Sequence, residues 1–320
     1  MDFLDKYHTI ITEAIKENTF QNKPVELYEP INYIISTPGK KLRPVIVLMA
    51  NELFGGDIQK AIKPALAIEF FHNFTLIHDD IMDDAPLRRG MPTIHTLHGI
   101  NLGILAGDAL FIKAYQFFED LEPELFKKCI KIFSETGAIL CEGQQIDVNF
   151  ETTKNVSYDE YIQMITNKTG VLIASALKIG AIIANASEED TQSIYDFGKN
   201  IGIAFQIMDD YLDVFGNQEH VGKKQAGDIY ENKKTILYLL AKRHSTPEEL
   251  DFWYSKKSDN IDKIYSVEKI FRRTKVAEKS LKLVKKYNEL AIESLNKINI
   301  SEEKKRPFID LANYLLKREK

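Results

Sequence analysis

Two aspartate patterns carry the chemistry of this sequence: Asp79-Asp80-Ile81-Met82-Asp83 and, further along, Asp209-Asp210-Tyr211-Leu212-Asp213. Each follows a strongly apolar segment, and carboxylates at the end of such a segment require a counter-charge. In a helix Asp79 and Asp83 stand at i,i+4, as do Asp209 and Asp213, so each pair projects from one face with Cβ atoms roughly 5–6 Å apart. That spacing suits magnesium, a hard cation that keeps some waters and also grips substrate phosphates. The first motif runs on through Asp84-Ala85-Pro86 into Leu87-Arg88-Arg89-Gly90. Paired guanidiniums directly after metal-recruiting acids fit a diphosphate, because arginine makes bidentate contacts with phosphate oxygens.

Further candidate motifs are Gly39-Lys40-Lys41-Leu42-Arg43-Pro44 near the start, Phe205-Gln206-Ile207-Met208 leading into the second acid motif, and Asn232-Lys233-Lys234-Thr235 after it. Together, and in this order, they resemble the trans-isoprenyl diphosphate synthases, the polyprenyl synthetase family. The resemblance covers most of the chain and weakens beyond about Lys242. It implies the all-α isoprenoid synthase fold, a single-domain bundle of long helices around a central cavity. It also implies a reaction in which an allylic diphosphate loses its diphosphate and isopentenyl diphosphate attacks the resulting carbocation.

Carried onto this sequence, the resemblance makes Asp79, Asp83 and Asp209 the magnesium ligands, with Asp80, Asp84, Asp210 and Asp213 orienting the waters and ligands around the ions. Arg88, Lys168, Lys223 and Lys233 hold the allylic diphosphate, and Lys40, Arg43, His72 and Arg89 hold isopentenyl diphosphate. Lys224 competes with Lys223, and alignment directly after Gly222 favours Lys223. Thr169 and Gln206 supply neutral oxygen dipoles beside the carbocation. The family pairs as homodimers, an expectation that nothing else in the sequence marks. A terpene cyclase and a non-catalytic helical partner subunit are the alternatives. The intact second motif and Arg88-Arg89 favour chain elongation, and inert subunits go with decayed aspartates.

The elements that must position these groups read as helices. Ala61 to Asp84 is apolar on most sides, a central helix; Tyr158 to Ala186 and Thr191 to Phe215 read similarly, with Ser187 as N-cap and acids at 188–190 in the first turn of the later helix. Asn167-Lys168-Thr169-Gly170 interrupts the second of these, and Gly170 weakens a helix by roughly 1 kcal/mol relative to alanine, permitting a kink. The polar stretch 216–232 places basic residues directly after the second acid motif. The tail from about Ser255 alternates lysine and glutamate on amphipathic periods, as outer helices do. Its end, Lys317-Arg318-Glu319-Lys320, resembles the family's basic C-terminus that closes over substrate, or is a solvated terminus.

Below the first acid motif, Thr75 and Phe74 lie about one turn beneath Asp79 and Phe71 about two, at 1.5 Å rise per residue. Family enzymes with two aromatics at this floor tend to the fifteen-carbon product. One aromatic and one threonine therefore point to the twenty-carbon geranylgeranyl diphosphate, with farnesyl diphosphate close behind. Glu69-Phe70-Phe71-His72 has the Glu-x-x-His spacing of di-iron bundles, but those sites need two such motifs and this sequence holds one.

The composition excludes other classes. With 42 basic and 47 acidic residues the net charge is −5, which disfavours a nucleic-acid partner. Two cysteines, Cys129 and Cys141, suit a reducing compartment rather than a disulfide framework. Met1 to Lys6 lacks the basic region and apolar core of a signal peptide, and no segment approaches the ~20 apolar residues of a membrane span. A cytoplasmic protein is expected. No Gly/Ser linker divides the 320 residues, so one domain, 1–320, is the expectation.

Overall fold

The computed structural model describes residues 2–216, 226–254 and 261–316. The helices are α1 (Asp2–Glu17), α2 (Val25–Ser36), α3 (Leu42–Leu53), α4 (Ile58–Met82), α5 (Ile94–His98), α6 (Ile100–Gln116), α7 (Pro123–Thr152), α8 (Tyr158–Ile165), α9 (Val171–Ile183) and α10 (Glu188–Phe215). After them come α11 (Gly227–Tyr230), α12 (Ile236–Lys242), α13 (Pro247–Tyr254), α14 (Ile261–Thr274), α15 (Val276–Asn296) and α16 (Glu302–Leu316). A two-stranded hairpin, β1 (Leu87–Arg88) and β2 (Met91–Pro92), lies between α4 and α5. The all-α expectation holds, with that hairpin as its only exception among the described residues. No helix among them is long and apolar enough to cross a membrane.

The chain gathers into two compact units, each discontinuous in sequence: 1–134 with 175–194, and 135–174 with 195–320. In the first, α4 is central. Ala65, Leu66, Ala67, Ile68, Phe70 and Phe71 are all buried, packed among α1, α3 and α6. The helix begins three residues before the sequence reading put it, because Asp57 caps it by accepting from the Gln59 N–H at 3.0 Å. It ends inside the acid motif. Ala85 N–H donates to Asp80 O at 2.9 Å and Asp84 N–H to Ile81 O at 3.3 Å, while Asp84 takes φ 48°. This is the Schellman pair of bonds, with an aspartate in the left-handed position that glycine usually fills.

In the second unit, Ile203, Ile207, Met208 and Leu212 of α10 pack with Tyr161 and Ile165 of α8, Tyr238 of α12, Trp253 of α13 and Phe271 of α14. Ser187 does cap α10, its Oγ accepting from Asp190 N–H at 3.1 Å. The helix expected over 158–186 is not continuous. Between α8 and α9, residues Thr166–Gly170 form one π-helical turn. Gly170 therefore closes a register change in the backbone hydrogen bonds, a feature at which helices bend.

Candidate active site

In the first unit, the last turn of α4 and its cap carry Asp79, Asp80, Asp83 and Asp84. Asp79 is half-buried and Asp83 exposed, and Asp83 N–H donates to Asp79 O at 2.9 Å, so the expected one-turn spacing is kept. Asp80 differs from its neighbours. Its carboxylate is 3 % exposed and accepts from Arg88 Nε at 2.6 Å. Burial pushes the Asp80 carboxyl up from its usual value, and the Arg88 charge opposes that. Asp80 thus aims a guanidinium, a role the sequence reading did not give it.

The hairpin then parts the two arginines. Arg89 and Gly90 occupy its turn with φ 54° and 76°, the positive values a tight two-residue β-turn needs. While Arg88 turns to the acid end of α4, Arg89 Nη1 donates to Pro38 O at 3.3 Å. Gly39 makes room for it: a Cβ there would stand 2.3 Å from Arg89 Nη1. Arg89 is thereby brought to the loop that bears Lys40, which is exposed, and that leads into α3.

Arg43 on α3 lies with Nη1 3.1 Å from His72 Nε2 on α4. A guanidinium only donates, so Nε2 accepts and the neutral ring carries its proton on Nδ1. Burial first, then the charges of Arg43, Arg89, Arg88 and Lys41, hold His72 well below its ordinary value. Lys41 serves another purpose than Lys40. Its Nζ pairs with the buried Glu69 at 3.0 Å and donates to Ile35 O at 3.0 Å, which also removes Glu69 from any metal-ligand role. A buried glutamate demands a partner, and that was the overlooked signal.

In the second unit, the π turn presents Lys168 and Thr169. It is gripped by glycines: a Cβ on Gly143 of α7 would stand 2.5 Å from Lys168 N, and one on Gly202 of α10 would stand 2.6 Å from Gly170 Cα. Lys168 Nζ pairs with Asp147 at 2.7 Å. The Thr169 hydroxyl donates to Gln206 Oε1 at 3.0 Å, and Gln206 Nε2 donates to Asp210 Oδ1 at 3.1 Å. Asp210 is buried and also accepts from the Tyr161 hydroxyl and from Ile236 N–H at 3.2 Å. Like Asp80, it anchors protein groups. Burial raises its pKa, against the pull of those donors.

Asp209 is half-buried. Asp213 Oδ2 accepts from Asp228 N–H at 3.1 Å and so caps α11. Lys233 is exposed, 3.0 Å from Glu231. Its neighbour Lys234 is buried and donates to Phe150 O and, at 3.3 Å, Glu151 O in the last turn of α7, a lysine closing a helix C-terminus. Lys223, its competitor Lys224 and the terminal Lys317 to Lys320 lie outside the described residues.

Both acid motifs thus lie in the C-terminal parts of their helices, and the carboxylates of the last turn, Asp79 and Asp213 among them, stand at the negative end of the macrodipole, where a cation is favoured by about 0.3–1 kcal/mol. Among the described residues no three His, Cys, Asp or Glu side chains gather into a self-sufficient metal cage. Partial sets of hard oxygen donors at these ends fit magnesium, which takes the rest of its shell from water and phosphate.

Residues 24–271 match the family model described as Polyprenyl synthetase. The chain belongs to the polyprenyl synthetase family. It is 36% identical over 100% of its length to the short chain isoprenyl diphosphate synthase of Methanothermobacter thermautotrophicus, covering 98% of that protein. It is 37% identical to the geranylfarnesyl diphosphate synthase of Natronomonas pharaonis, over 73% of this chain and 74% of that one. A crystal structure of a geranylgeranyl pyrophosphate synthase superposes with TM-score 0.94 at 41% identity, covering 99% of each chain. This polyprenyl synthetase has the isoprenoid synthase fold and is a trans-prenyltransferase. Tyr161, Asp147, Lys41 and Lys234 are the supporting residues that sequence reasoning missed: Tyr161 and Asp147 stand outside every motif, and Lys41 and Lys234 stand inside motifs whose neighbouring lysine took the attention.

Proposed function

We propose that this enzyme is a magnesium-dependent synthase that extends an allylic diphosphate with isopentenyl diphosphate to a short-chain all-trans product, geranylgeranyl diphosphate in the main, as one catalytic domain spanning 1–320. The observation that carries the reading is the parting of Arg88 and Arg89. One guanidinium is held at the acid turn and its neighbour is delivered to the corner of Lys40, Arg43 and His72, which provides for two diphosphates.

Asp79, Asp83 and Asp209 hold magnesium, which supplies Lewis acidity to the leaving diphosphate. Arg88, Lys168, Lys223 and Lys233 bind that diphosphate as the C–O bond breaks with its electron pair. Lys40, Arg43, Arg89 and the Nδ1–H of His72 orient isopentenyl diphosphate, whose double bond forms the new C–C bond. The Thr169 hydroxyl donates its hydrogen bond to Gln206 Oε1, so its oxygen lone pairs are left to face the cation. The departing diphosphate takes the final proton. Incubation with magnesium, isopentenyl diphosphate and dimethylallyl, geranyl or farnesyl primers, followed by chromatography of the dephosphorylated products, is expected to show a twenty-carbon chain. A fifteen-carbon main product would favour the farnesyl alternative, and no condensation with any primer would sink the reading.

Product length is assigned to Phe74 and Thr75. Phe71 is wholly buried against Phe111 and Phe133, whereas Phe74 is half-buried, stacked on Phe111 at 5.0 Å and on His78 at 4.8 Å. Phe74→Ala is expected to lengthen the main product by at least one five-carbon unit and Thr75→Phe to shorten it, since a packed floor accepts little added volume. Unchanged chromatograms from both variants would place the ruler elsewhere.

A homodimer in the cytoplasm is the expected working form. On α6, Ile100, Ile104, Leu105 and Ile112 are 42–57% exposed, an apolar face that a second copy would cover. Light scattering is expected to find a dimer at micromolar concentration, and Leu105→Glu with Ile112→Glu to shift it towards monomer. A wild-type monomer would remove the assignment.

A further inference from the structure

The acid turn of α4 is seated on α6 through two glycines. A Cβ on Gly107 would stand 2.3 Å from His78 Nε2 and 2.5 Å from His78 Cδ2, and one on Gly103 would stand 2.9 Å from Ile81 Cδ1. His78 and Ile81 flank Asp79 and Asp80 and lie one turn apart, so each drops into a notch that a missing side chain leaves on α6. The His78 ring is fixed by more than shape. Its Nε2 lies 3.2 Å from Ile104 O, an oxygen that only accepts, so Nε2–H donates across the helix pair, and Phe74 stacks edge-on against the ring at 4.8 Å.

The two notches differ in what they tolerate. The Ile81 contact is the far end of a flexible chain, which can move aside. The His78 ring is rigid, hydrogen-bonded behind, stacked on one side and 25% exposed, with Asp108 Oδ1 3.8 Å from its Nε2, so displacing it breaks the bond to Ile104 and disturbs the seat of the last turn of α4.

We infer that His78, seated on Gly107, is a positioning residue that sets the placement of Asp79 and Asp83 and so the affinity of the acid turn for a divalent cation. The inference rests on the reading of Asp79 and Asp83 as metal ligands. It concerns no proton transfer and no contact with substrate. Alanine is a better helix former than glycine, so harm from Gly107→Ala must come through the displaced ring. That harm should vanish when the ring is removed as well.

The test is binding of Mn2+ to the full chain in the presence of inorganic diphosphate, followed by electron paramagnetic resonance, so that no turnover is needed. Gly107→Ala is expected to weaken Mn2+ binding about 10-fold or more. His78→Ala, which creates no clash, should weaken it several-fold, and the double variant His78→Ala/Gly107→Ala should bind like His78→Ala alone. Gly103→Ala should bind like the wild type, and the KM for isopentenyl diphosphate should stay within about two-fold in all four. Asp79→Ala serves as the reference. If it binds Mn2+ normally, the metal assignment itself fails. If it loses Mn2+ while Gly107→Ala and His78→Ala bind normally, or while the double variant shows the product of the two single losses, the positioning role is overturned. Should Gly107→Ala fold poorly in thermal melts, His78→Ala decides alone: normal Mn2+ binding refutes the inference.

Discussion

Replacing Asp79 or Asp209 by alanine is expected to lower kcat by about 1,000-fold or more while the protein stays folded. Separating diphosphate from an allylic cation places most of the barrier in charge that develops on the leaving group, and losing one stabilising contact of this kind costs about 100- to 1,000-fold. At 1.36 kcal/mol per tenfold, that is about 3–4 kcal/mol of transition-state stabilisation. A metal ligand should reach the top of that range, because its loss disturbs the ion and every phosphate oxygen the ion holds. Neither side chain is part of the buried core: both are half-buried, Asp79 in the last turn of α4 and Asp209 six residues before the end of α10. In metal-free buffer each repels the neighbouring carboxylates of its own motif, so both variants should melt slightly higher than the wild type. Steady-state kinetics with thermal melts in chelator check both halves. Activity within about tenfold of wild type in either variant would remove that residue from the metal site.

Gly143→Ala and Gly202→Ala should damage the enzyme from a distance. In each case the added methyl meets backbone, Lys168 N or Gly170 Cα, and backbone cannot swing aside as a side chain can. Overpacking of this kind costs about 1–3 kcal/mol, against which alanine's better helix propensity returns at most about 1 kcal/mol. The π turn that yields is the one that aims Lys168 and Thr169, and a misplacement of about 1 Å costs on the order of 100-fold in rate. The expected result is a kcat/KM for the allylic primer reduced by about 100-fold, with a lower melting temperature. The KM for isopentenyl diphosphate should be nearly unchanged, because Arg43, His72 and Arg89 stand on other elements. Wild-type kinetics at an unchanged melting temperature would show that the glycines carry no such constraint.

Much of this was legible in the sequence. Helical periodicity announced the long central helices, and Ser187 announced the start of α10. Spacing at i,i+4 put Asp79 and Asp83 on one turn, whatever packed around them. Motif order was enough to name the family, and with it the fold. These features are local or covalent: a helix fixes the relation between residues four apart without reference to the rest of the chain.

Which protein groups Asp80 and Asp210 hold was not legible. Asp80 and Asp210 have the same letters and flanks as their neighbours, yet packing turns them inward, one to Arg88 and the other to Tyr161, Gln206 and Ile236 N–H. Lys40 and Lys41 divide in the same way, as do Lys233 and Lys234. The π turn also eluded a local reading, because it is wedged by Gly143 and Gly202, both far from it along the chain. Sequence by itself determined which chemical groups are present and their spacing within each helix. Only the tertiary structure decided which of them are spent on holding the others, because an inward or outward turn is set by the volume and hydrogen-bonding demands of neighbouring elements distant in sequence.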